Sequence, residues 1–82
     1  MIRETIKVER NLENNPIAHL VQEASNYSSS IYIEVSNKSI NAKSIMGMMT
    51  LNLKNGNELS VSADGVDEEA AMLGIKKFLI GK

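Results

Sequence analysis

Apolar and polar residues alternate at the start of the chain: Ile2, Ile6 and Val8 share one parity, Arg3, Thr5 and Lys7 the other. Period two marks a half-buried strand, so a strand is expected here despite Glu4 on the apolar parity. A polar stretch from Glu9 to Asn15 then leads into Pro16. Asn15 suits a helix cap and Pro16 the first turn, where its missing N–H costs nothing. Ile17, Leu20, Val21 and Ala24 follow at i, i+3, i+4 and i+7, the spacing of a helix packed on a core. Ser28, Ser29 and Ser30 break that helix. Ile31, Ile33 and Val35 then alternate with Tyr32 and Glu34 as a second strand.

Ser36-Asn37-Lys38 reads as a turn, and Ile40 and Ala42 mark a third strand antiparallel to the second. From Ile45 to Leu53 the pattern is most easily read as a nine-residue helix capped by Ser44, ending at Lys54-Asn55-Gly56. Leu59, Val61 and Ala63 form a fourth strand, and Asp64-Gly65 turns out of it. Asp67 is placed to cap a last helix, with Glu68 and Glu69 in its first turn and Lys76 and Lys77 in its last. Its buried stripe should be Ala71, Ile75, Phe78 and Leu79. The order β-α-β-β-α-β-α predicts an α+β two-layer open-faced sandwich, helices on one face of a mainly antiparallel sheet. With no linker-like segment, residues 1–82 are expected to form one domain.

Composition narrows the function classes. Nine basic against ten acidic residues give a net charge of −1, too weak a field to attract nucleic acid or an anionic membrane unaided. Without cysteine there is no disulfide framework, thiolate nucleophile or Cys-type zinc site, which suits a cytoplasmic protein. One histidine makes no recognisable metal site, so no cofactor is expected. No apolar run reaches the ~20 residues of a membrane span. No glycine-rich phosphate loop or convergent acid pair is present, since adjacent Glu68 and Glu69 diverge on a helix. Three of the five methionines cluster at Met46, Met48 and Met49.

The segment Asn41-Ala42-Lys43-Ser44-Ile45-Met46-Gly47-Met48-Met49-Thr50-Leu51 resembles the regulatory segment of HPr, the small phosphocarrier of the bacterial sugar phosphotransferase system. Val21-Gln22-Glu23-Ala24-Ser25 and Ala63-Asp64-Gly65-Val66-Asp67-Glu68 extend the likeness over nearly the whole chain. The family's relay motif reads roughly Gly-Ile-His-Ala-Arg-Pro-Ala. Anchored on Pro16, this chain has Glu13 at the histidine position and Asn15 at the arginine position. Its loop before Pro16 is also about two residues shorter. Phosphoryl relay needs a nucleophile whose phosphorylated form is reactive yet long-lived, and a cation for the transferred charge. Glu13 and Asn15 supply neither. His19, six residues beyond Glu13, lies off the core stripe on the side of Asn15. Its readings are a surface or interface residue, or a displaced phosphate acceptor in a still-active phosphocarrier.

The resemblance implies a different use for Ser44. In low-GC Gram-positive members the matching serine is phosphorylated by a bifunctional HPr kinase/phosphorylase. The phosphoprotein then serves as corepressor of a LacI-type catabolite control regulator. The capping role and the switch are compatible, because a phosphate there meets unpaired N–H groups. Lys43 either assists or is a solvated strand-end charge. By the same resemblance Ile45, Met46 and Met49 form an exposed apolar patch, while Met48, Leu51 and Leu53 belong to the core. Asn15, Ala18 and His19 complete the protein-binding surface. A regulatory protein without enzymatic activity, touching neither DNA nor membrane, is the expectation.

Overall fold

The structure, a computed structural model, describes residues 1–9, 14–51 and 53–81, the side chains of residues 14 and 15 excepted. Its elements run β1 (Ile2–Lys7), α1 (Asn14–Ser25), β2 (Ser30–Val35), β3 (Lys38–Asn41), α2 (Ile45–Met48), β4 (Glu58–Asp64) and α3 (Glu68–Ile80). The four strands make one sheet of order β1-β4-β2-β3 in which every pairing is antiparallel. The expected α+β sandwich is therefore the observed one.

Period-two patterning sets the register. Ile2 faces Ala63 and Ile6 faces Leu59 across β1 and β4; Ile31 faces Ala63 and Ile33 faces Val61 across β2 and β4. A one-residue slip would turn these side chains to solvent, so the buried face fixes the pairing. Ile17, Leu20 and Ala24 of α1 and Ala71, Met72, Ile75 and Leu79 of α3 close over this face, all buried. Val21 and Phe78 lie at the margin of the core, half-buried, and Met72 takes the central place that the stripe pattern gave to Phe78.

The anomalous Glu4 has a simple account. It shares the helix side of edge strand β1, where its carboxylate accepts a bond from Lys76 Nζ of α3 at 3.0 Å. Helix α3 runs on to Ile80, so its last turn holds Lys77 and not Lys76.

The β2–β3 hairpin turns on Ser36 and Asn37, with φ of 50° and 67°. Positive φ at both central residues is the two-residue geometry that matches strand twist.

Three boundaries differ from the sequence pattern. Helix α1 starts at Asn14, so Asn15 lies inside the first turn and is not the cap. Helix α2 has four residues, not nine. The carbonyl of Gly47, which would accept the Leu51 N–H in a continuing helix, is taken by the Thr50 N–H at 3.2 Å and its hydroxyl at 2.7 Å. Leu51 N–H turns instead to Met48 O at 3.0 Å, and the chain leaves the helix. Leu51 and Leu53 then reach the core at extended spacing. Consequently Lys54 to Asn57 form a loop beside β1 and not a helix end. Gly56 N–H donates to Val8 O at 2.7 Å and Val8 N–H to Asn57 O at 2.8 Å.

The third difference is at Asp67. It occupies the N-cap position of α3 but makes no side-chain cap bond. Its carboxylate accepts the N–H groups of Ser28 and Ser29, each at 2.9 Å, and the Ser29 hydroxyl. Distant donors have outcompeted the local ones, and the α1–β2 connection is thereby tied to the start of α3.

Candidate functional site

The segment following β3 is shaped by its own polar groups. Asn41 Oδ1 accepts the Lys43 N–H at 2.9 Å, and Asn41 O accepts the Ser44 N–H at 3.0 Å. This local turn ends β3 and delivers Ser44 to the cap of α2 in extended conformation (φ −97°, ψ 108°). Ser44 Oγ accepts the Gly47 N–H at 3.3 Å, and Ser44 O the Met48 N–H at 2.9 Å. Gly47 keeps the turn close to the sheet: a Cβ there would stand 3.0 Å from Ile40 Cγ2 and 3.5 Å from Ser44 Oγ.

One turn of helix then splits the apolar residues by direction. Met48 points inward and is fully buried. Ile45, Met46 and Met49 are 44%, 82% and 44% exposed. Monomeric proteins leave single hydrophobics exposed as a matter of course, but three beside one another on a six-residue segment form a contiguous patch. Ser44, at its edge, is exposed as well.

Lys43 does not face this patch as a free cation. It is half-buried, and its Nζ donates to the Tyr27 carbonyl just beyond α1 at 2.7 Å. It is therefore neither a solvated charge nor poised over the Ser44 hydroxyl, and the ordering it supplies links the α2 segment to α1. Helix α1 also packs directly against α2. On it Ala18 is half-buried and His19 exposed. Asn15 is in the first turn of α1, and Glu13 lies outside the described residues.

The chemistry available to Ser44 follows from its neighbours. A serine becomes a nucleophile when a base holds its proton. Among the described residues no carboxylate or imidazole is hydrogen-bonded to Oγ, whose recorded partner is a backbone N–H. Such a hydroxyl is suited to being acted upon. The helix behind it has only four residues, so an anion placed there would be met by local N–H groups and not by a full helix dipole. A groove of about 650 Å³ between α1 and α3, lined by Glu23, Tyr27, Leu73, Gly74, Lys77 and Phe78, takes no residue from 44–49. Small molecules are held in concavities, whereas an exposed apolar patch with a polar rim fits a protein partner. Among the described residues no helix is long and apolar enough to cross a membrane.

An antiparallel sheet of this order, covered on one face by three helices, with a capped exposed serine beside an apolar patch, defines a small open-faced sandwich built to present a surface. Residues 2–80 match the family described as "PTS HPr component phosphorylation site". The HPr-like protein Crh of Halalkalibacterium halodurans is 39% identical over 74 residues, covering 90% of this chain and 88% of the relative. The HPr-like protein Crh of Bacillus subtilis is 39% identical over 67 residues, covering 82% and 79%. Among solved structures, HPr-C-His from Thermoanaerobacter tengcongensis superposes with a TM-score of 0.90 at 40% identity, covering 100% of this chain and 98% of that one. This chain belongs to the HPr family.

Proposed function

We propose that the chain is a non-enzymatic, cytoplasmic HPr-like regulator of carbon catabolite repression, switched by phosphorylation of Ser44 and devoid of phosphohistidine relay. The observation that carries this reading is the juxtaposition at α2: an exposed, unactivated hydroxyl at the edge of exposed Ile45, Met46 and Met49. HPr kinase/phosphorylase supplies the phosphate. The phosphoprotein then engages a LacI-type catabolite control regulator through three groups: the phosphate on partner cations, the apolar patch, and the Asn15, Ala18 and His19 side of α1. Methionine suits a surface that meets both a kinase and a regulator, because its flexible thioether adapts to differing shapes. Two relatives named HPr-like protein Crh support membership of the catabolite-repression branch. So does the sequence before Pro16, where Glu13 and Asn15 stand at the family's histidine and arginine positions. Asn15 brings no cation to the regulator, so binding should be weaker than for members with arginine there.

Incubation with ATP and HPr kinase/phosphorylase tests the reading. Intact mass should rise by one phosphate in the wild type and not in Ser44→Ala; no rise in either would overturn it. A parallel reaction with phosphoenolpyruvate and the general phosphotransferase enzyme should leave the protein unlabelled. Acid-labile label that disappears in His19→Ala would instead establish a displaced phosphocarrier.

A further inference from the structure

We propose that Met46 and Met49 are a selective oxidation site whose modification makes the Ser44 patch polar while leaving the fold intact. The four methionines of the folded body divide sharply by access. Met46 is 82% exposed and Met49 44%, whereas Met48 is fully buried and Met72 is 2% exposed. Met46, Met48 and Met49 lie within four consecutive positions, so sequence context and local charge are nearly shared and burial is what separates them. Met1, 77% exposed beside Asp64 and Glu68, is an accessible reference outside the patch. The chain also lacks cysteine, which in most proteins would consume a peroxide first.

The reaction is an oxygen-atom transfer from a hydroperoxide. With hydrogen peroxide, a sulfur lone pair attacks one oxygen, the S–O bond forms as the O–O bond breaks, and the departing hydroxide takes the proton of the transferred hydroxyl and leaves as water. Sulfur loses two electrons to the peroxide and becomes a sulfoxide, which thiol-dependent methionine sulfoxide reductases return to the thioether. A sulfoxide is a strong acceptor on what was an apolar surface, so it weakens any contact that buries the patch. Neither side chain supports the core, which rests locally on Met48, Leu51 and Leu53. That consequence for partners depends on the Ser44 reading above; the selectivity does not.

The folded protein is treated with graded hydrogen peroxide, quenched and digested, and sulfoxides are assigned by fragment-ion mass spectrometry. Met46 should react at a rate close to that of Met1, Met49 next, and Met48 and Met72 at least about tenfold more slowly. In denaturant all should react alike. The oxidised protein should keep its thermal midpoint and elute earlier from a hydrophobic-interaction column, and Met46→Leu/Met49→Leu should keep only the part of that shift that oxidation of exposed Met1 supplies. Equal rates at Met46 and Met48, an unfolded product, or an unchanged elution would each overturn the proposal. Wild-type protein, oxidised and unoxidised, is then given HPr kinase/phosphorylase and ATP. Slower phosphate uptake in the oxidised sample, restored by the reductase, supports the consequence; equal uptake overturns it. An unoxidised protein that takes up no phosphate refutes the reading of Ser44, and the oxidation map alone then decides this one.

Discussion

Gly65→Ala should be strongly destabilising, because the added methyl would press on buried Ser29, backbone included. A Cβ at Gly65 would lie 2.6 Å from Ser29 Oγ, 2.7 Å from Ser29 Cα and 2.9 Å from Ser29 Cβ. Ser29 cannot step aside: it is fully buried, and its N–H and hydroxyl are both held by Asp67. Overpacking of this kind costs roughly 1–3 kcal/mol, and the φ of +157° at Gly65 adds about 1–2 kcal/mol of backbone strain. The sum is about 2–5 kcal/mol. A chain of 82 residues has a total stability of roughly 4–12 kcal/mol, so much of it is at stake. Near 3 kcal/mol the thermal midpoint falls by roughly 10–25 °C. Gly56→Ala supplies the matched control. Gly56 has φ of +98° but nothing within 4 Å of its added Cβ, so it carries backbone strain alone, about 1 kcal/mol. Both variants are compared with wild type by circular dichroism during heating and in urea. If Gly65→Ala proves no less stable than Gly56→Ala, the Ser29–Gly65 contact does not restrain the fold as argued.

Acid sensitivity should centre on the same junction. Asp67 is held below its ordinary carboxylate value chiefly by the Ser29 hydroxyl and then by the Ser28 N–H, and Glu68 by the Gly65 N–H and the chain's amino group. A depressed folded-state pKa contributes stability above the unfolded value near 4 and loses it as pH falls through the folded value. Asp67→Asn should therefore lower stability at pH 7 and flatten its decline below pH ~4; an unchanged acid slope would count against the assignment. Replacing Ser36-Asn37 by Asn-Gly, the preferred pair for this turn, should raise stability by about 0.5–1 kcal/mol in urea titrations. Lys43→Met should cost about 1 kcal/mol by removing the bond to Tyr27 O, yet leave phosphate uptake at Ser44 unchanged. A loss of uptake would give Lys43 a direct part in the modification.

The strands were legible because burial of one sheet face leaves a period-two record, as at Ile31, Ile33 and Val35. Even Glu4, the one break in that record, turned out to carry information, since it marks the edge of the sheet where Lys76 can reach it. The failures arose where a side chain had two partners to choose between. Thr50 sits in a run of helix-compatible residues, yet its N–H and hydroxyl both go to Gly47 O, and α2 ends after one turn. Asp67 precedes two glutamates as a good cap should, but Ser28 and Ser29, thirty-nine and thirty-eight residues away, claim its carboxylate. Competition of this sort depends on tertiary geometry and leaves no local periodicity. The direction of the methionines was only half legible: helical spacing says that Met46, Met48 and Met49 cannot all face inward, and the structure decides which does.

The layout also bears on how the proposed switch at Ser44 relates to chemistry at the start of α1. Among the described residues, the hydrogen bonds of the Ser44 segment come from outside the stretch before Pro16. Asn41 sets the turn, Gly47 completes the cap, Met48 anchors the helix in the core, and Lys43 reaches the far end of α1 at Tyr27. A relay at the start of α1 would instead depend on residues 9–15, where this sequence carries Glu13 and Asn15. Substitutions there change the chemistry of α1's first turn without removing any of the bonds that hold Ser44 at the edge of its patch. The dependence runs further in the other direction, since Lys43 couples the Ser44 segment to the end of α1. Grafting a histidine and an arginine onto positions 13 and 15 should therefore leave kinase-dependent phosphorylation of Ser44 intact. A loss of Ser44 phosphorylation in the correctly folded Glu13→His/Asn15→Arg protein would show that the two surfaces are not independent.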